Sequence, residues 1–176
     1  MHQPLAYFAA GAAFAAPAVL LASDVLLLRF VSEPGLALQK VALIVFVPAL
    51  AWVPALVQGR ARWLAIGGAA VSAIGAIAIV VTPTMLNIPL VPPAVLFPLG
   101  LLVLAVVMNR AGAWRGEPYL LAAGALIFPP AHISGVAAAL VLCDILLIAA
   151  FWMLAGHMAH AKSQIPNSKS QVPTPK

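Results

Sequence analysis

Two aspartates interrupt apolar runs. Asp24 sits in VLLASDVLLL (19–28) and, 120 positions later, Asp144 sits in LVLCDILLI (140–148). An acid at the centre of a membrane helix costs about 2.5–3.5 kcal/mol on insertion scales, so such residues face a bundle interior or a wet cavity, where they bind protons, ions or ligands or pair with a basic group. The words around them match closely, Ser23-Asp24-Val25-Leu26-Leu27-Leu28 beside Cys143-Asp144-Ile145-Leu146-Leu147-Ile148. A second echo joins Ala9-Ala10-Gly11-Ala12 to Ala122-Ala123-Gly124-Ala125. Ala- and Leu-rich chains resemble one another by chance, and these echoes do not fit a three-plus-three inverted repeat, in which the first span would correspond to the fourth.

Candidate partners follow from depth. At about 1.5 Å per residue, Asp24 lies about 8 Å and Asp144 about 15 Å from the same membrane surface. Lys40, near the start of the second apolar segment, shares that depth and has a stem long enough to reach inward. An Asp24–Lys40 ion pair is therefore expected, with His132 or Ser134 beside Asp144, and Arg29, Glu33, Gln39 and Asn87 nearby. Desolvation disfavours a charged carboxyl and a neighbouring ammonium favours it, which makes Asp144 the expected proton carrier and Asp24 the expected fixed charge. The competing reading is structural, with Asp24 and Lys40 fixing helix register and Asp144 bonded to a hydroxyl or backbone carbonyl.

The elements that must position these groups are membrane helices. The chain has 176 residues, 64% of them apolar and 7% charged, and a mean hydropathy of +1.10. Soluble domains are about 45–50% apolar and about 25% charged. Breaks at charges, Pro and Gly give six spans, near 5–29, 37–57, 63–82, 89–108, 117–130 and 134–156, making an all-α polytopic bundle over residues 1–160. The fifth is expected to be short or re-entrant, because its apolar stretch ends at Pro129-Pro130. The first apolar run lacks a basic flank and is too long for a signal peptide, so it reads as a retained span. The polar, Pro- and Ser-containing stretch 161–176 is expected to be a disordered tail.

The formal charge of +5 does not point to nucleic acid, because Lys and Arg are scattered through the connectors and tail. With six spans and a cytoplasmic N-terminus, seven of the nine Lys and Arg fall inside, which predicts both termini in the cytoplasm of a multi-pass protein of the cell (inner) membrane. Tyr7, Trp52, Trp63, Trp114, Tyr119 and Trp152 fall near the same inner ends, as interfacial or packing anchors. Gly68, Ser72 and Ala76 form a small-residue stripe for close helix packing, with a second copy or another membrane protein as the candidate partner beside the lipid itself.

No cofactor or metal is expected. Cys143 is the one cysteine, so neither a disulfide nor a thiolate cluster can form within the chain. His157 and His160 share a helix face, with His2 at the same end, but histidines at a helix C-terminus more often meet carbonyls and the dipole. His132 and His157 lie at opposite ends of one span, and no phosphate-binding, zinc-protease or nucleophile-elbow motif occurs. The sequence therefore points to a small membrane protein with a polar cluster, Asp24, Lys40, His132 and Asp144, that binds a small ligand or proton as a transporter or sensor. A structural or assembly subunit of a membrane complex is the rival. A membrane-embedded lipid-modifying enzyme is the third reading, without a motif to support it. Pro17, Pro48, Pro54, Pro98, Pro129 and Pro130 are expected as kinks, and PTMLNIPLVPP (83–93) as a stiff lid.

Overall fold

The computed structural model describes residues 3–30, 33–81, 92–112 and 114–160. The expected tail, His2, Asn87 and most of the third connector lie outside them, as do the side chains of Arg29, Glu33 and His160. The described residues form six helices: α1 Gln3–Phe30, α2 Glu33–Leu56, α3 Ala61–Val81, α4 Pro92–Ala111, α5 Glu117–Ser134 and α6 Ala137–His160. α1, α2, α3 and α6 are each long and apolar enough to cross a membrane, and α4 carries the shorter apolar stretch Val95–Ala111. Leu5, Phe8, Ile44, Leu64, Ile77, Val106 and Leu126 lie exposed on the outside. The surrounding lipid is as apolar as those side chains, so small residues and interhelical hydrogen bonds must hold the helices together.

The helices stand in a closed ring. Each packs on its neighbours in sequence, α6 closes on α1, and α2 also touches α6. Four phenylalanines fill the middle: Phe46 meets Phe97 (centroids 5.6 Å apart) and Phe151 (4.9 Å) edge-on, and Phe97 meets Phe128 (5.2 Å). Such tilted pairs set the positive edge of one ring against the negative face of another.

Of the two forms expected for α5, short or re-entrant, the helix takes the first: it is the shortest of the six and is not among those long and apolar enough to cross a membrane. It is one helix antiparallel to α6 along its length, with Glu117 against His157, Gly124 against Leu147 and Cys143, and His132 at the far end. Its 18 residues rise about 27 Å, so it crosses the bundle and does not turn back. Pro129 and Pro130 lie within it. The stop is Gly135, at φ 64°, whose N–H closes on the Ala131 carbonyl at 3.0 Å, a left-handed cap that suits glycine.

The stripe on α3 is used inside the chain. Gly68, Ser72 and Ala76 are buried, and Gly68 and Ser72 lie against α4. Ser72 Oγ donates to the Phe97 carbonyl at 2.8 Å. A Cβ on Gly75 would overlap the Phe97 backbone, and one on Gly100 would overlap the Ser72 backbone. At Gly68 and Ser72 the close neighbour is therefore α4 of the same chain.

Gly75→Ala must therefore push α3 and α4 apart, at a cost of about 1–3 kcal/mol, typical of overpacking. Gly67, the residue before Gly68 and with nothing within 4 Å of an added Cβ, is the control. Gly67→Ala should be neutral or stabilising by up to about 1 kcal/mol, because alanine loses less backbone entropy in a helix. Unfolding of both variants in lipid or detergent, followed by circular dichroism, measures the difference.

Candidate functional site

Asp24 and Asp144 are placed by the same local packing. On α1, Ser23 Oγ donates to the Gly35 carbonyl at 3.1 Å, and Leu27 lies so close to Gly35 that a Cβ there would sit 2.9 Å from it. On α6, Cys143 Sγ donates to the Gly124 carbonyl at 3.4 Å, and Leu147 lies 2.9 Å from the Cβ that Gly124 lacks. The two matching words thus dock on two glycines, one on the helix after α1 and one on the helix before α6. That reversed order is why no three-plus-three repeat fits. The second echo does not join in: Gly11 has nothing within 4 Å of an added Cβ.

With the preceding residue of each word turned onto a neighbouring helix, each aspartate enters the α1–α6 side of the bundle. Asp24 is 2% exposed and Asp144 0%, and the two carboxyl groups lie within interaction range of each other. α5 contributes the third group: His132 Nε2 is 3.5 Å from Asp24 Oδ2. Nδ1 of the same ring is 2.9 Å from the Phe128 carbonyl, and the ring stacks on Phe128 at 4.0 Å, so two contacts fix its orientation. His132 is 17% exposed and is the most exposed of the three groups.

The partners differ from those expected. His132 faces Asp24, and Lys40, half-buried on α2, makes no ion pair with either aspartate. Ser134 caps the turn, accepting from Val136 N–H and donating to the Ala131 carbonyl, both at 3.4 Å, and does not serve Asp144. Gln39 is buried on α2. Asp24 Oδ2, both oxygens of Asp144 and His132 Nε2 are buried with no hydrogen-bond partner among the described residues. In most proteins such groups are paired, so four together set this cluster apart from the rest of the bundle. Two carboxyl groups and an imidazole in contact can hold and pass protons.

A second polar cluster lies at the opposite end and was not foreseen. Glu117, 2% exposed, opens α5 and accepts from Arg115 N–H at 2.9 Å and Gly116 N–H at 3.0 Å with one oxygen, while its other oxygen meets His157 Nε2 at 2.8 Å. Trp114 packs edge-on against His157 at 5.0 Å. His157 is therefore engaged by a carboxylate, and no group of three or more potential metal ligands occurs among the described residues. The recoverable signal was the hairpin itself, since a turn at Gly135 sets the start of α5 opposite the end of α6. Trp152 also ties α6 to α1, its Nε1–H donating to the Phe14 carbonyl at 2.9 Å and its ring stacked on Phe14 at 4.4 Å.

Unlike the aspartates, Glu117 has every oxygen partnered, as a structural clasp should. Glu117→Ala is expected to cost about 1–3 kcal/mol, the usual penalty for removing a buried hydrogen-bonding group, and to speed amide exchange at Arg115 and Gly116. Glu117→Gln retains an acceptor for those amides and should cost less. Hydrogen exchange with mass spectrometry on both variants checks the order.

No known protein family, curated protein or solved structure matches this chain, so the site is read from its own geometry.

Proposed function

We propose that this chain is a multi-pass protein of the cell membrane whose Asp24–Asp144–His132 cluster binds and releases a proton or a small ligand, as a transporter or sensor does. One observation carries the reading: both oxygens of Asp144, at 0% exposure, have no hydrogen-bond partner among the described residues, beside a second acid and an imidazole. A cluster selected only to hold helices would be satisfied, as Glu117 is. Among ligands, the proton is favoured, because 3.5 Å between Asp24 Oδ2 and His132 Nε2 admits a hydrogen and no heavier atom between them. Lys40 remains in the proposed site as a cation at the same end of the bundle, able to approach Asp24 when the imidazole leaves it. Exchange takes place at that end, since the four central phenylalanines stand between the cluster and the other end of the bundle.

Infrared difference spectra of the protein in lipid, between mildly alkaline and mildly acidic buffer, test this. A carboxyl band that titrates reversibly in the wild type and disappears in Asp144→Asn, with helicity unchanged, is the expected result. Loss of fold in both Asp24→Asn and Asp144→Asn without any titrating band would establish the structural-subunit reading. Turnover of a lipid that vanishes with Asp144→Asn would establish the enzyme. For topology, the bias of Lys and Arg supports cytoplasmic termini. Reporters fused after Arg62, after Arg110 and in the tail should read cytoplasmic and one in the third connector external; an external tail would overturn this.

A further inference from the structure

The number of protons the cluster holds follows from which atoms can donate. A carbonyl oxygen only accepts, so the contact of His132 Nδ1 with the Phe128 carbonyl places a hydrogen on Nδ1. A neutral imidazole then carries its lone pair on Nε2, the atom facing Asp24 Oδ2. That contact joins two acceptors. The Asp24 and Asp144 carboxyl groups, both buried and within interaction range of each other, also set acceptor against acceptor when both are ionised. An acceptor held against an acceptor out of water is repulsive, and each contact becomes a hydrogen bond when one proton lies in it.

Among the described residues no neighbouring group relieves this. On α1, Ser23 is committed to the Gly35 carbonyl; on α6, Cys143 is committed to the Gly124 carbonyl. On α5, Ser134 bonds within the turn. On α2, Lys40 pairs with neither acid, and neither Gln39 nor Lys40 donates to the unpartnered oxygens. Charge gives the same count. Two ionised carboxyl groups beside a neutral imidazole carry two negative charges in apolar surroundings, a state of high free energy. Two protons make the cluster neutral overall, whichever atom holds each.

We infer that Asp144, Asp24 and His132 form a two-proton site, with one proton between the carboxyl groups and one between Asp24 and His132. The inference rests on the proton-binding reading above and sets its stoichiometry: full loading changes the charge inside the bundle by two.

Asp24 and Asp144 are the two aspartates of the sequence, so carboxyl-labelled aspartate reports on them and on nothing else. The full chain, carrying this label and ring-nitrogen-labelled histidine, is placed in lipid at neutral pH, and solid-state NMR reads the protonation of each group. His132→Gln identifies the His132 signals. The expected sum is two protons beyond the one on Nδ1, seen either as two protonated carboxyls with a neutral imidazole or as one protonated carboxyl with an imidazolium. A sum of one overturns the two-proton site and leaves the proton-binding reading standing. A sum of zero, with two ionised carboxylates and a neutral imidazole, overturns both. The count is made on the wild type, so it stands even if a variant fails to fold.

Discussion

A carboxyl group removed from water must meet something polar, and the packing around Asp24 and Asp144 follows from that requirement. Neither acid can be served by its own helix, whose backbone is already hydrogen-bonded. α1, α5 and α6 therefore have to converge at one end of the bundle. Their approach is set by residues without bulk: Gly35 accepts Leu27, Gly124 accepts Leu147, and Ser23 and Cys143 add interhelical hydrogen bonds that point the aspartates inward. Close approach comes first, and the meeting of the acids is its result.

The two histidine–carboxylate contacts show how similar pairs can do different work. Glu117 lies at a helix N-terminus, where free backbone N–H groups supply donors, and its imidazole is 46% exposed. It is a solved hydrogen-bonding problem, and its value is mechanical: it joins the start of α5 to the end of α6. Asp24 and Asp144 lie within their helices, where no backbone donor is free. The same side-chain chemistry is left open there, which is the condition for binding something.

Much of this was legible in the sequence, for identifiable reasons. The absence of charge over long stretches reveals a membrane bundle, and Asp24 and Asp144 stand out against it. Lys40 was a poorer guide: nearness in sequence and equal depth do not fix azimuth around a helix, and the ring brings α5 rather than Lys40 to Asp24. The Gly68–Ser72–Ala76 stripe reveals that a backbone comes close but not whose backbone it is. Pro129 and Pro130 suggested an end, yet near a helix C-terminus a missing donor matters less than the left-handed residue that stops the helix. Glu117 escaped because it lies at the start of a span, where an acid looks ordinary until the hairpin buries it.

Closure of the ring by α6 on α1 has a consequence for biogenesis. Asp24 belongs to α1, which is made before α5 and α6, the helices that carry His132 and Asp144. While the intervening helices are synthesised, α1 carries an acid whose eventual neighbours do not yet exist. The α5–α6 hairpin, emerging after α1, completes the surroundings of that acid.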